Sequence, residues 1–287
     1  MPELLEAFAV GGGHTSDKCP FCPLEKKDQQ YYKTYGGAQN DGTKLGNLIN
    51  EPTKFGTSTE ADARPKDGKE GKDGRQNQGF SNTSNETYSD IKGDDTEWKF
   101  QAHHAISGKQ CLNGHLVEKF IIASDKIKFD TGYSVNNPQN GIWMPSYPET
   151  QTWPKDPAGK FALAKIAMEK FKRQFHLGHH NITVDPIVAV DSDKIDVDVD
   201  QVYVAYVKKE LDNLKLVVDS WVDPCKKKDG DKHLGNARIH NNLDHISELI
   251  ISKLKYPPKG WRFFVSRHAR DLAIKTRDPN AKLDFEK

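Results

Sequence analysis

WKFQAHHAISG, residues 98–108, decides how the chain is read: a run of bulky residues ends in two adjacent histidines. EWKFQAHH has the character of a short strand, and on an extended segment neighbouring side chains point to opposite faces. His103 and His104 therefore cannot serve one packing surface in the same way, and one of them has a task the other lacks.

Outward from that strand the periodicity is mostly helical. KFALAKIAMEKFKRQF sets Phe161, Ala164, Met168, Phe171 and Phe175 at helical spacing with Lys and Arg opposite. KIDVDVDQVYV alternates like a strand, and Tyr206, Leu211, Leu214, Val218 and Trp221 then mark an amphipathic helix. LDHISELIISKLKYPP is a further helix stopped by Pro257 and Pro258, and GWRFFVSRH reads as a late strand. The expected fold class is α+β with few, scattered strands.

Residues 56–90 hold almost nothing apolar beyond Phe80 and Tyr88, so burial cannot offset the entropy of ordering them. They predict a flexible linker or long surface loop. The expected organisation is a cysteine-containing arm (1–35), the linker or loop (36–95), a main domain (96–225) and a basic carboxy-terminal extension (226–287).

With 287 residues, 35% of them hydrophobic, the chain can bury one good core or two small ones. No apolar run is long enough for membrane insertion. The opening MPELLEAFAVGGG lacks a basic stretch and a long apolar one, so no cleaved secretory signal is expected. The net charge of +1 hides blocks of opposite sign. Residues 96–180 carry 11 Lys/Arg against 7 Asp/Glu, residues 181–225 carry 4 against 10, and residues 226–287 carry 15 against 8. Six of the eleven histidines fall in the first block, which concentrates bases and metal ligands there.

Three pieces of that block stand out in order: AHH at 102–104, NGIWMP at 140–145 and HLGHH at 176–180. Together they resemble the AHH-type nucleases of the HNH (His-Me finger) superfamily over about residues 98–182. The resemblance implies a ββα-metal core with added helices and a metal-dependent endonuclease acting on DNA, with RNA the alternative. By motif position His104 becomes the general base and His103 a metal ligand, while Asn140 orients the base or helps hold the metal. His176 and His180 complete the ligand set, and His179 can replace either. Here NITVDPIVAVDSD follows HLGHH, and Pro186 interrupts the helix the family pattern continues into.

The chemistry fits those residue types. Phosphodiester hydrolysis needs an activated water in line with the leaving oxygen and positive charge where negative charge builds. A neutral imidazole can take the proton, and one divalent cation (Mg, Mn, Zn or Ni) held by imidazoles supplies the charge. AHH-type nucleases resemble the toxic tips of bacterial polymorphic toxins. That implies synthesis in the bacterial cytoplasm, secretion without a signal peptide into target cells, a secretion machine and an immunity protein as partners. The alternative function is a zinc-organised module that binds nucleic acid or protein without catalysis. A metallohydrolase acting on some other substrate is a third reading.

The four cysteines are too few and too uneven for a disulfide framework. KCPFCP sets Cys19 and Cys22 at the spacing of half a structural zinc site, with His14 upstream. Cys111 and His115 in CLNGH are the expected other half, with free buried thiols or a redox pair as the competing readings. In the tail, Trp261, Phe263 and Phe264 interleave with Arg262, Arg267 and Arg270, a pattern suited to phosphate contact and base stacking or to an ordinary solvated face.

Overall fold

The strand bearing the two histidines is the middle strand of a small antiparallel sheet. The computed structural model describes residues 19–22, 40–50, 76–77, 80–81, 83–87, 95–128, 130–148, 154–176, 203–225, 232–233, 237–255, 257–261 and 263–286. Among them the long strand β4 (Asp95–His104) pairs on one side with β3 (Thr83–Thr87) and on the other with β5 (Gly141–Pro148). A two-residue ribbon, β1 (Gln76–Asn77) with β2 (Phe80–Ser81), precedes them. Register sets His103 opposite Ile142 and His104 opposite Gly141, with an irregularity between Trp98 and Phe100. The mixture of helix and antiparallel sheet agrees with the expected α+β class.

Among the described residues, five α-helices surround the sheet: α1 (Gly42–Asn50), α2 (Pro157–Phe171), α3 (Tyr203–Val222), α4 (Ala237–Leu254) and α5 (Arg267–Arg277). Three begin on clear capping chemistry, α1 on the Asp41 carboxylate, which accepts from the Lys44 N–H at 2.9 Å. Asp156 accepts from the Gly159 N–H at 2.7 Å ahead of Pro157, and Ser266 accepts from the Ala269 N–H at 3.2 Å. The excursion from β4 to β5 is irregular, with a π turn at Gly108–Leu112 and 3₁₀ turns at Leu116–Phe120 and Pro138–Asn140.

Alternation along β5 divides the interior in two. Ile142 and Met144 join a core built on α3 and α4, including Val207, Leu211, Leu243 and Ile246. Trp143, between them, joins a second core with Leu45 and Ile49 of α1, Met168 of α2 and Leu272 of α5. The β4–β5 hairpin is therefore covered on both faces. Helix α1 lies directly on it: a Cβ at Gly46 would come within 2.8 Å of the Trp143 indole, and one at Gly141 within 2.4 Å of Ile49 Cδ1. Only glycine allows that approach at both contacts.

Several expectations change. The stretch 36–95 contains α1 and the strands before β4, so it is not linker throughout; α1 packs through Leu45 and Ile49, an i, i+4 pair. Residues 226–287 are not an appended tail, because α4 sits in the first core and α5 in the second. GWRFFVSRH is not a strand: Pro258–Gly260 is a 3₁₀ turn, and irregular chain then leads to the Ser266 cap. Gln174 holds that chain, donating to Phe263 O at 2.9 Å and accepting from Val265 N–H at 3.0 Å. Trp261, Phe263 and Phe264 are all buried, which removes them as stacking platforms for bases. Of KIDVDVDQVYV, residues 194–202 lie outside the described residues, and Tyr203 and Val204 open α3. No described helix is long and apolar enough to cross a membrane.

Candidate active site

His103 and His104 divide between the two faces of the hairpin as a strand requires. His104 Nε2 lies 2.8 Å from Asn136 Oδ1, and the same oxygen accepts from the Asp41 N–H at 3.0 Å. An amide oxygen can only accept, so Nε2 of His104 carries the proton and Nδ1 the lone pair. Nδ1 makes no hydrogen bond among the described residues. Burial holds the His104 pKa below the ordinary 6.5, opposed by the Asn136 hydrogen bond and by the negative charge of Asp41. The ring is thus a neutral base at physiological pH.

On the other face His103 Nε2 lies 2.9 Å from the hydroxyl of Tyr203, the first residue of α3. That hydroxyl donates to the Ala105 carbonyl at 2.6 Å and approaches the His104 carbonyl at 3.2 Å. Burial lifts the Tyr203 pKa well above 10, so it keeps its one proton and spends it on the carbonyls. His103 Nε2 must then be the donor, and Nδ1 again bears the lone pair.

His176 joins His103 there, with ring centroids 5.2 Å apart at 68°. Its N–H donates to Pro145 O of the NGIWMP piece at 2.8 Å, and its Nδ1 donates to Gln101 Oε1 at 2.6 Å, which fixes the lone pair on Nε2. Two imidazoles on one tetrahedral cation, with bonds of about 2.1 Å, have ring centres about 5 Å apart. The spacing is compatible with two ligands of one divalent cation and equally with a plain edge-to-face ring contact, and each ring has a hydrogen bond on one nitrogen that sets its tautomer and orientation. The other nitrogens of the two rings, His103 Nδ1 and His176 Nε2, are buried.

Asn140 departs from its expected role. Its Oδ1 accepts from the Ile106 N–H at 2.7 Å and from the Ser247 hydroxyl at 2.9 Å. Its Nδ2 donates to Ile106 O at 2.9 Å and Val135 O at 2.7 Å. All four hydrogen-bonding positions are spent on tying the excursion to α4, so Asn140 neither orients His104 nor holds a cation. The asparagine that bonds the His104 ring is Asn136 instead. Neither Asn136, Tyr203 nor Gln101 was singled out in the sequence; the one legible signal was that Gln101 shares the strand face of His103. His179 and His180 lie outside the described residues.

The thiols also regroup. Cys19, Cys22 and Cys225 have Sγ atoms all within 4.8 Å of one another. Burial and the adjacent Cys19 thiol raise the Cys22 pKa, and burial and the neighbouring thiols push Cys225 to about 12. Cys111 and His115, the expected partners of the pair, are not in the group. Cys111 is buried in the first core, and burial pushes its thiol to about 11. His115 spends both ring nitrogens, Nδ1 accepting from the Val117 N–H at 3.2 Å and Nε2 lying 3.1 Å from Asp212.

Compared with protein-family models, curated proteins and solved structures, the chain matches none.

Proposed function

We propose that the chain is a metal-dependent phosphodiesterase of the ββα-metal kind, an endonuclease acting on DNA, with His104 as general base. What supports this reading is that the described residues of the three motif pieces are neighbours. His103 and His176 lie side by side, His176 hangs from Pro145, and Asn140 knots the start of β5 to the residues after His104.

In this reading a phosphodiester lies across the carboxyl end of β4. His104 takes the proton of the attacking water at Nδ1, and Asn136 holds the ring by Nε2–H as it becomes imidazolium. The new bond joins water oxygen to phosphorus, and the bond to the 3′ oxygen breaks, that oxygen taking a proton from solvent water, which leaves 5′-phosphate and 3′-hydroxyl ends. His103 and His176 would hold the divalent cation, which supplies positive charge to the phosphoryl and leaving oxygens. Delivery as an interbacterial toxin, with a secretion machine and an immunity protein, remains part of the proposal on the resemblance alone.

The test is cleavage of supercoiled plasmid by the purified chain with Mg2+, Mn2+, Zn2+ or Ni2+ and with EDTA. Cleavage should require the ion, and His104→Ala should lower the rate by about 10²–10⁴-fold while the melting temperature holds. Binding without cutting under every ion would instead favour an interaction module organised by the three-thiol group.

A further inference from the structure

Away from the imidazoles, Cys19, Cys22 and Cys225 bring three sulfurs from two ends of the sequence to one point. The turn at residues 19–22 places its two thiols on one side, and the Phe21 N–H donates to Cys19 Sγ at 3.4 Å. An amide N–H aimed at sulfur stabilises a thiolate more than a thiol. Cys225 follows the end of α3, its N–H bonded to Trp221 O at 3.0 Å. The turn is seated independently of the sulfurs: Phe21 stacks on His233 with centroids 4.3 Å apart, and Arg238 Nη1 donates to Cys19 O at 2.6 Å.

None of the three cysteines is in a disulfide, and a disulfide between any two would leave the third thiol pressed against it. Three thiolates around Zn2+ with bonds of about 2.3 Å have sulfurs about 3.8 Å apart, inside the observed 4.8 Å limit, so only small side-chain rotations close the site. We infer that Cys19, Cys22 and Cys225 form a structural zinc site that clasps the amino-terminal turn to the carboxyl end of α3. Binding releases the thiol protons to solvent and creates three Zn–S bonds with no change of oxidation state. No fourth Cys, His, Asp or Glu among the described residues joins the group. This inference does not rest on the nuclease reading.

Titrating the full chain, stripped by chelation under reducing conditions, with Co2+ tests it. Thiolate ligands give a sulfur-to-cobalt charge-transfer absorption that an imidazole site lacks. One equivalent should produce the band, and Zn2+ should abolish it. Cys225→Ser should remove most of its intensity, whereas Cys111→Ser and His104→Ala should keep it. Absence of the band in the parent, or its full retention in Cys225→Ser, overturns the site. If Cys225→Ser does not fold, alkylation of the stripped parent decides. One equivalent of Zn2+ should protect Cys19, Cys22 and Cys225 together, and protection of Cys19 and Cys22 without Cys225 refutes the clasp.

Discussion

Two asparagines four residues apart do opposite work near His104. Asn136 grips the imidazole from one side, while Asn140 spends its whole amide on Ile106, Val135 and Ser247. Asn136→Ala should therefore cut the cleavage rate by about 10–100-fold, since the tautomer of His104 is no longer imposed. Asn140→Ala leaves buried backbone groups unsatisfied and should lower unfolding stability by about 3 kcal/mol, with the folded fraction still cutting. Urea titration beside the plasmid assay separates them; equal stability losses with equal rate losses would contradict the assignment. The motif pointed to Asn140 because sequence order shows only that an asparagine precedes β5. Which amide faces the ring depends on how the irregular 105–140 excursion folds back, and no periodicity encodes that.

At the scale of elements, α2, α3 and α4 were legible because each lays an apolar stripe against a core at helical spacing. Helix α1 was overlooked inside a polar stretch, although Asp41 gives a readable start signal, its carboxylate accepting from the Lys44 N–H at 2.9 Å. The misreading of GWRFFVSRH has another cause. Its aromatics are buried without any ladder partner, because Gln174 satisfies the backbone that a neighbouring strand would otherwise bond. The closeness of α1 to the hairpin gives a direct test. Gly46→Ala would gain about 1 kcal/mol of helix propensity, yet its methyl meets the Trp143 ring at 2.8 Å. Net destabilisation of about 1–2 kcal/mol is expected in urea. Trp143→Leu in the same background should show a favourable coupling in a double-mutant cycle, and additive losses would argue against the contact.

For the molecule as a whole, the two cores share one hairpin, and buried titratable groups make its stability depend on acid. His104 and His268 both have pKa values lowered by burial, His268 to about 4 with Lys160 and Arg267 adding to the shift. The unfolded chain binds those protons first, so their contribution is complete above pH 6.5 and is lost as the pH falls through the folded values. Asp271, raised by burial to about 6 from 3.8, works the other way and adds stability as the pH falls through 6. His268→Asn should therefore gain stability relative to the parent between pH 7 and 5, and Asp271→Asn should lose it. Urea midpoints at the two pH values check both signs. Two of the three clustered thiols were legible in Cys-x2-Cys, but Cys225 was not, because only the tertiary fold brings the end of α3 to that turn.

That distance along the chain has a temporal side. Translation delivers Cys19 and Cys22 about 200 residues before Cys225, so for most of synthesis the early pair lacks its third sulfur. A polypeptide stalled or truncated before α3 ends keeps two sulfurs open to oxidants that the finished protein buries or half-buries. Arrival of the last third of the message product, not of the first, is what shuts them away.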